Sequence, residues 1–193
     1  MLSDVIQGQT VDLITPYPTS QIKRAFGWMH CYKSITQTDE FPKTFEEFQP
    51  YMERYLQVCT SFGIIDKNQL TNRRHEAPLV GILIFEPGGP HNGYWHVATS
   101  RRAWGTGLVD EAARLAFQYA FDHYPQLTRL SASIAERNYP ARGLTKRLGF
   151  KCEGVLEDIM VLDGQPLSMV HYGLTRKNWQ AKNSTLEATA CPS

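Results

Sequence analysis

The sequence predicts an α+β domain built on one mixed central sheet that is antiparallel in several places. Three observations carry that expectation. Short runs rich in β-branched and aromatic residues recur along the 193 residues, each bounded by Gly, Pro, Asn or Asp. Two of the boundaries, residues 87–93 and Asp163-Gly164, have hairpin chemistry. Between the runs lie segments of helical period, the clearest placing Leu108, Ala112, Leu115, Ala116, Tyr119 and Ala120 on one face.

The elements follow in order. Val11-Asp12-Leu13-Ile14 reads as a short strand, stopped by Pro16 and Pro18. Ser20 is placed to cap a helix carrying Ile22, Ala25, Phe26 and Met29. A second helix follows Pro42, with Phe45, Phe48, Met52, Tyr55, Leu56 and Cys59 as its apolar stripe. Phe62 to Ile65 and Leu79 to Phe85 read as strands, the latter buried on both faces. After the turn at residues 87–93, Gly93 to Thr99 forms the next strand and leads into the long helix. Arg129 to Ala135 alternates as a strand, and Asn138 with Pro140 opens a short helix that ends at Gly149. Glu153–Leu162 and Ser168–Leu174 form a final hairpin. One domain over residues 1–180 and a frayed tail over 181–193 are expected.

Composition narrows the classes. Apolar content of 42% and charge of 20% fit a globular chain. A net charge of +1 gives no excess of Lys and Arg for a broad nucleic-acid surface. No apolar run is long enough to span a membrane, and residues 1–8 lack a secretory pattern, so the cytoplasm is the expected compartment. Cys31, Cys59, Cys152 and Cys191 are scattered without metal-ligand spacing, which points to reduced thiols and no metal site.

The segment Arg101-Arg102-Ala103-Trp104-Gly105-Thr106-Gly107 joins a strand to a helix start. Glycines allow close backbone approach, helix N-terminal N–H groups point outward, and Arg102 adds a planar cation. The combination suits a phosphate. It is no P-loop, since no Lys-Ser/Thr pair follows the glycines, and it lacks the three-glycine spacing of a dinucleotide turn.

Arg102 to Gly107 matches the Arg/Gln-x-x-Gly-x-Gly/Ala pattern of the GNAT superfamily of acyl-CoA-dependent N-acetyltransferases. Asn138-Tyr139-Pro140-Ala141, continuing to Leu148-Gly149-Phe150, resembles that family's Asn-x-x-Ala/Ser helix and its Leu-Gly-Phe end. The segments Lys151 to Asp158, Asp163-Gly164 and Tyr172 to Thr175 are similar to the branch of ribosomal-protein N-terminal acetyltransferases (RimJ/RimL-like). The resemblance runs from Val11 to about Trp179. It implies a GNAT-like sheet of about six to seven strands with a splayed parallel pair, flanked by about four helices. The strand of Val97, Ala98 and Thr99 would part from that of Ser133 to Ala135 and bind the pantetheine arm of acetyl-CoA. The pyrophosphate would lie at Arg102, Trp104, Gly105, Thr106 and Gly107, with Asn138 and Arg142 of the second motif approaching the cofactor.

The activity so implied is direct acetyl transfer to a primary amine, a small molecule or a peptide N-terminus. The alternative is a non-catalytic acyl-CoA-binding module. An alkyl amine, with a pKa of about 10, needs a base to release its proton. His91 is the first choice, counted back from Gly105 to a site where some members carry glutamate; Glu86, at a strand end, is the second. Thr145 stands where many relatives have the tyrosine that protonates the leaving thiolate, and Ala141 replaces a serine of the ribosomal-protein branch. His96, Tyr139 and Tyr172 are lesser candidates, packing being the ordinary role of the first and last. Trp28, Tyr32, Trp95 and Trp104 suggest an aromatic pocket but fit core positions better. The acceptor and the oligomeric state, a homodimer among the options, have no readable motif.

Overall fold

The computed structural model describes residues 4–30, 38–69 and 79–182. Its strands are β1 (Asp4–Gln7), β2 (Val11–Thr15), β3 (Thr60–Asp66), β4 (Leu79–Pro87) and β5 (Asn92–Thr99). Beyond these come β6 (Arg129–Ala135), β7 (Lys151–Leu162) and β8 (Gln165–Thr175). All eight form one sheet in the order β1-β2-β3-β4-β5-β6-β8-β7, slightly larger than the sheet the sequence suggests. The helices are α1 (Ile22–His30), α2 (Phe45–Val58), α3 (Leu108–His123) and α4 (Tyr139–Arg147), with residues 176–182 also helical. None of the described helices is long and apolar enough to cross a membrane. The expected tail from residue 183 onward lies outside the described residues, as do Cys31, Tyr32 and Cys191.

Local chemistry explains most element ends. Thr44 and Glu47 form a reciprocal capping box on α2. The Asn138 side chain accepts the Ala141 N–H at 3.2 Å and starts α4, with Pro140 in its first turn. Ser20, expected as the helix cap, lies inside a 3₁₀ turn, Thr19–Gln21, that runs directly into α1. β1 has no sequence signature because its residues are largely exposed. It is held by pairing with β2 and by Glu111 of α3, which accepts the N–H groups of Gln9 and Thr10 in the β1–β2 turn.

The sheet buries a core on each face. On one side the small residues Ala112, Ala116 and Ala120 let α3 lie close to the sheet, and Phe117 packs against Phe85, Trp95 and Phe150. On the other, Ile22, Ala25, Phe48 and Met52 of α1 and α2 cover Ile82 and Ile84. Each large side chain buried this way contributes about 1.5–3 kcal/mol.

All other strand pairs are antiparallel; β5 and β6 run parallel. Their pairing covers only Asn92–Arg129, Gly93–Leu130 and Tyr94–Ser131. Beyond Tyr94, β5 stays with β4 as far as Thr99, and β6 stays with β8 as far as Ala135. The sheet therefore opens along a wedge, as the splayed pair predicts.

Candidate active site

A cleft of about 720 Å³ fills the wedge. Val97, Ala98 and Thr99 line one side, Ser133 and Ile134 the other, and Asn138, Ala141 and Thr145 of α4 close it. The facing edges of β5 and β6 no longer bond each other, and polar backbone in such a place needs a partner. Thr145 sharpens the point: it is 1% exposed, and its Oγ1 has no hydrogen-bond partner. A buried hydroxyl left this way is costly, and a ligand with acceptor atoms would satisfy it.

One end of the cleft is the Arg101–Gly107 turn. Gly105 and Gly107 have φ of 71° and 85°, a region side chains avoid, and Gly107 is the N-cap of α3. A Cβ at either would meet nothing within 4 Å, so the glycines serve the backbone path and leave the helix start open. Thr106 locks the turn, its hydroxyl donating to the Ala103 carbonyl at 2.9 Å. Trp104 is half exposed beside the cleft and donates its indole N–H to Thr99 Oγ1 at 3.1 Å. Arg102 is exposed next to this turn without lining the cleft. Arg147 and Asp110 form a bidentate pair at the rim, with N–O distances of 3.0 and 3.1 Å.

Arg142, expected to approach the cofactor, is not among the residues that line the cleft. Its guanidinium donates to the Tyr172 hydroxyl at 3.2 Å and to the Glu136 carbonyl at 2.6 Å, and lies over the Tyr139 ring. It braces α4 against the sheet instead of lining the cleft. Tyr172 is fully buried, a core residue as its strand position suggests, while Tyr139 is 71% exposed.

At the other end, Glu86 is the center of a three-residue cluster. Tyr55 of α2 donates its hydroxyl to Glu86 Oε2 at 2.8 Å, and His96 Nε2 lies 3.1 Å from the same oxygen. Facing a carboxylate, that nitrogen is the donor. The bond from His96, seconded by Tyr55 against the effect of burial, holds the Glu86 carboxyl below its ordinary range. Burial, then the bond to Glu86, raises the Tyr55 phenol. Burial and the Glu86 charge push the Cys59 thiol up to about 11, so it stays protonated.

His91 is not in this cluster. It precedes Asn92 at the closed end of the parallel pair, where Nδ1 lies 2.9 Å from the Gln126 carbonyl. The strands part only beyond Tyr94, so His91 is exposed outside the cleft, and the acid-base candidate inside it is Glu86. His96 is half exposed in the cleft instead of packed. The hairpin register, with Ile84 opposite His96, was the signal that could have joined it to Glu86. Tyr55 had no such signal, being distant in sequence.

Beyond Glu86 the cleft continues between α1, α2 and β8. Asp39 clasps the β7–β8 hairpin: its carboxylate accepts the N–H groups of Asp163 and Gly164 at 2.8 and 2.9 Å, which lowers its pKa. Its own N–H donates to the Val161 carbonyl.

Residues 17–151 match the family model of the acetyltransferase (GNAT) domain. The ribosomal protein uS5-alanine N-acetyltransferase of Escherichia coli is 27% identical over 158 residues, covering 78% of this chain and 71% of that one. YdaF of Bacillus subtilis is 29% identical over 90 residues, so the chain spans about half (47%) of that relative's length. Two solved structures share the fold. RimL, a ribosomal L7/L12 alpha-N-protein acetyltransferase in complex with coenzyme A, superposes with a TM-score of 0.73 at 15% identity, covering 89% of this chain and 98% of that one. The ribosomal-protein-S5-alanine acetyltransferase of Vibrio fischeri gives 0.70 at 16%, covering 91% and 98%. With the splayed pair, the glycine turn and α4 all lying within or beside the matched region, the chain belongs to the GNAT acetyltransferase family and is an acyltransferase.

Proposed function

We propose that the enzyme transfers the acetyl group of acetyl-CoA to a primary amine, and that a peptide N-terminus is an acceptor it can use. The observation that carries this is the wedge: strands that stop pairing after Tyr94–Ser131 open a cleft running from a glycine helix start to the Glu86–Tyr55–His96 cluster. The residues fit the donor. Backbone groups of Val97, Ala98 and Thr99 match an amide-rich arm, and the helix start at Gly105, Thr106 and Gly107 suits a pyrophosphate beside Trp104. Arg102 supplies the nearby cation, Asn138 lines the same cleft, and Arg142 serves by fixing α4. Relatives named as ribosomal-protein N-acetyltransferases support the peptide acceptor.

The bound donor supplies an activated acyl group. The chain's own residues do the rest. Glu86 takes one proton from the ammonium form, leaving the amine lone pair free to form the N–C bond as the C–S bond breaks, and the nitrogen's second proton passes to the departing thiolate, which leaves as the thiol. Backbone N–H groups of β5 are available to the developing oxyanion. The unpartnered Thr145 hydroxyl donates a hydrogen bond to the departing thiolate. Direct transfer needs no protein nucleophile, in keeping with a Cys59 thiol held neutral.

Calorimetry with acetyl-CoA and thiol release across a panel of amines and peptides test the reading. Arg102→Ala combined with Gly105→Ala is expected to weaken acetyl-CoA binding in a folded protein; unchanged affinity rejects the donor site. Tight binding with no turnover on any acceptor would leave a binding module.

A further inference from the structure

We infer that the acceptor is a primary amine joined within a few bonds to one large apolar group, aromatic by preference, and that polycationic amines are excluded. This rests on the acetyl-transfer reading and names the substrate class of the same site.

The half of the cleft beyond Glu86 is walled by side chains that pack on the α1–α2 core with one face and leave the other open to the cleft. Phe48 and Met52 already seal the α2 face, at 0% and 1% exposure. Above them Trp28, Met29, Phe41 and Tyr51 stay partly exposed, and all four face the cleft. The Phe41 ring meets Tyr51 edge-on at 5.9 Å, and Tyr51 stacks on Tyr55 at 5.8 Å with planes 15° apart. That aromatic wall ends at the Tyr55 hydroxyl bonded to Glu86. Leu167 and Met169 stand on the β8 side, held near α1 and α2 by the Asp39 clasp. Such a surface gains by covering an apolar group, and aromatic rings add edge and stacking contacts.

Charge settles the rest of the acceptor. Among the described cleft-lining residues only Glu86 and Asp110 are carboxylates. Asp110 lies at the donor end and is spent on Arg147. One carboxylate can receive one ammonium group. A second cation would lose water against Phe41, Leu167 and Met169 with no further carboxylate among the described lining residues to receive it. Glu86 is thus the anchor for the amine, and the aromatic wall beside it is the pocket for what the amine carries.

The test uses the full chain and begins with calorimetry of acetyl-CoA, which probes the donor reading alone. Thiol release is then measured with 2-phenylethylamine, a Phe-initiated tripeptide, the matching Ser-initiated tripeptide and spermidine. The free amine and the peptide distinguish a small-molecule acceptor from a polypeptide end. Either aromatic acceptor should exceed both the Ser peptide and spermidine in kcat/KM by about 30-fold or more, since even a methylene is worth about 10-fold or more in a fitted pocket. Phe41→Ala should erase most of that preference through acceptor KM while acetyl-CoA affinity holds. Equal or better turnover of spermidine or the Ser peptide overturns the inference and leaves the donor reading intact. Binding of acetyl-CoA with no turnover of any of the four also overturns the inference. Failure to bind acetyl-CoA overturns the reading beneath it.

Discussion

The two ends of the cleft are built from different material. The end proposed for the donor is made of backbone: parted strand edges, two left-handed glycines and a helix start. The end proposed for the acceptor is made of side chains from several separate segments, meeting at Glu86 and along the Trp28–Phe41–Tyr51 wall. Backbone sites depend on a path through φ/ψ space that few sequences can take, so they are stable to drift in most neighboring residues. Side-chain sites change with any substitution and so can be retuned for a new acceptor without disturbing the donor.

Four perturbations break or sharpen that contrast. The largest effect is expected from Glu86→Gln, which should cut kcat by about 10²–10³-fold, the usual share of a general base, while acetyl-CoA affinity is kept; thiol-release kinetics beside calorimetry decide it. Next is Gly107→Val. A β-branched residue at φ 85° is strained by about 1–3 kcal/mol, so acetyl-CoA affinity should fall by about 10-fold or more by calorimetry, with the acceptor KM little changed.

The third is His96→Ala. The His96 bond depresses the Glu86 pKa, so its loss should move the acidic limb of the kcat/KM profile to higher pH. The stability sign follows the same logic. A depressed carboxyl pKa stabilises the fold above the unfolded carboxylate value, about 4.3, and the contribution is lost as pH falls through the folded value. A profile that stays in place would detach His96 from Glu86. The smallest effect is expected from Cys59→Ser, with kcat within about 2-fold of the parent, because direct transfer uses no thiol nucleophile; burst kinetics would reveal any acyl-enzyme.

The contrast also explains what could be read beforehand. The strand, glycine turn and α3 around Arg101–Gly107 are local, and so is the Asn138–Pro140 helix start; each was visible in residue order. β1 is not legible in the sequence because its exposed residues carry no period and its hold is pairing and a distant Glu111. Counting along one strand points to His91 but says nothing of where β5 and β6 part. Glu86 was named, but its Tyr55 partner lies 31 residues away on another element. Arg142 shows the same limit: its position in the helix was legible, while the Tyr172 hydroxyl that captures it was not.

Sequence alone determined the α+β class, the order of most strands and helices, the hairpins and the phosphate-suited turn, because periodicity, caps and positive-φ glycines act within a few residues of themselves. Only the tertiary structure decided which carboxylate faces the cleft, which aromatic residues stay open to it, and which arginine is already spent. Those outcomes depend on how separate elements pack, and burial and hydrogen-bond partners exist only after packing.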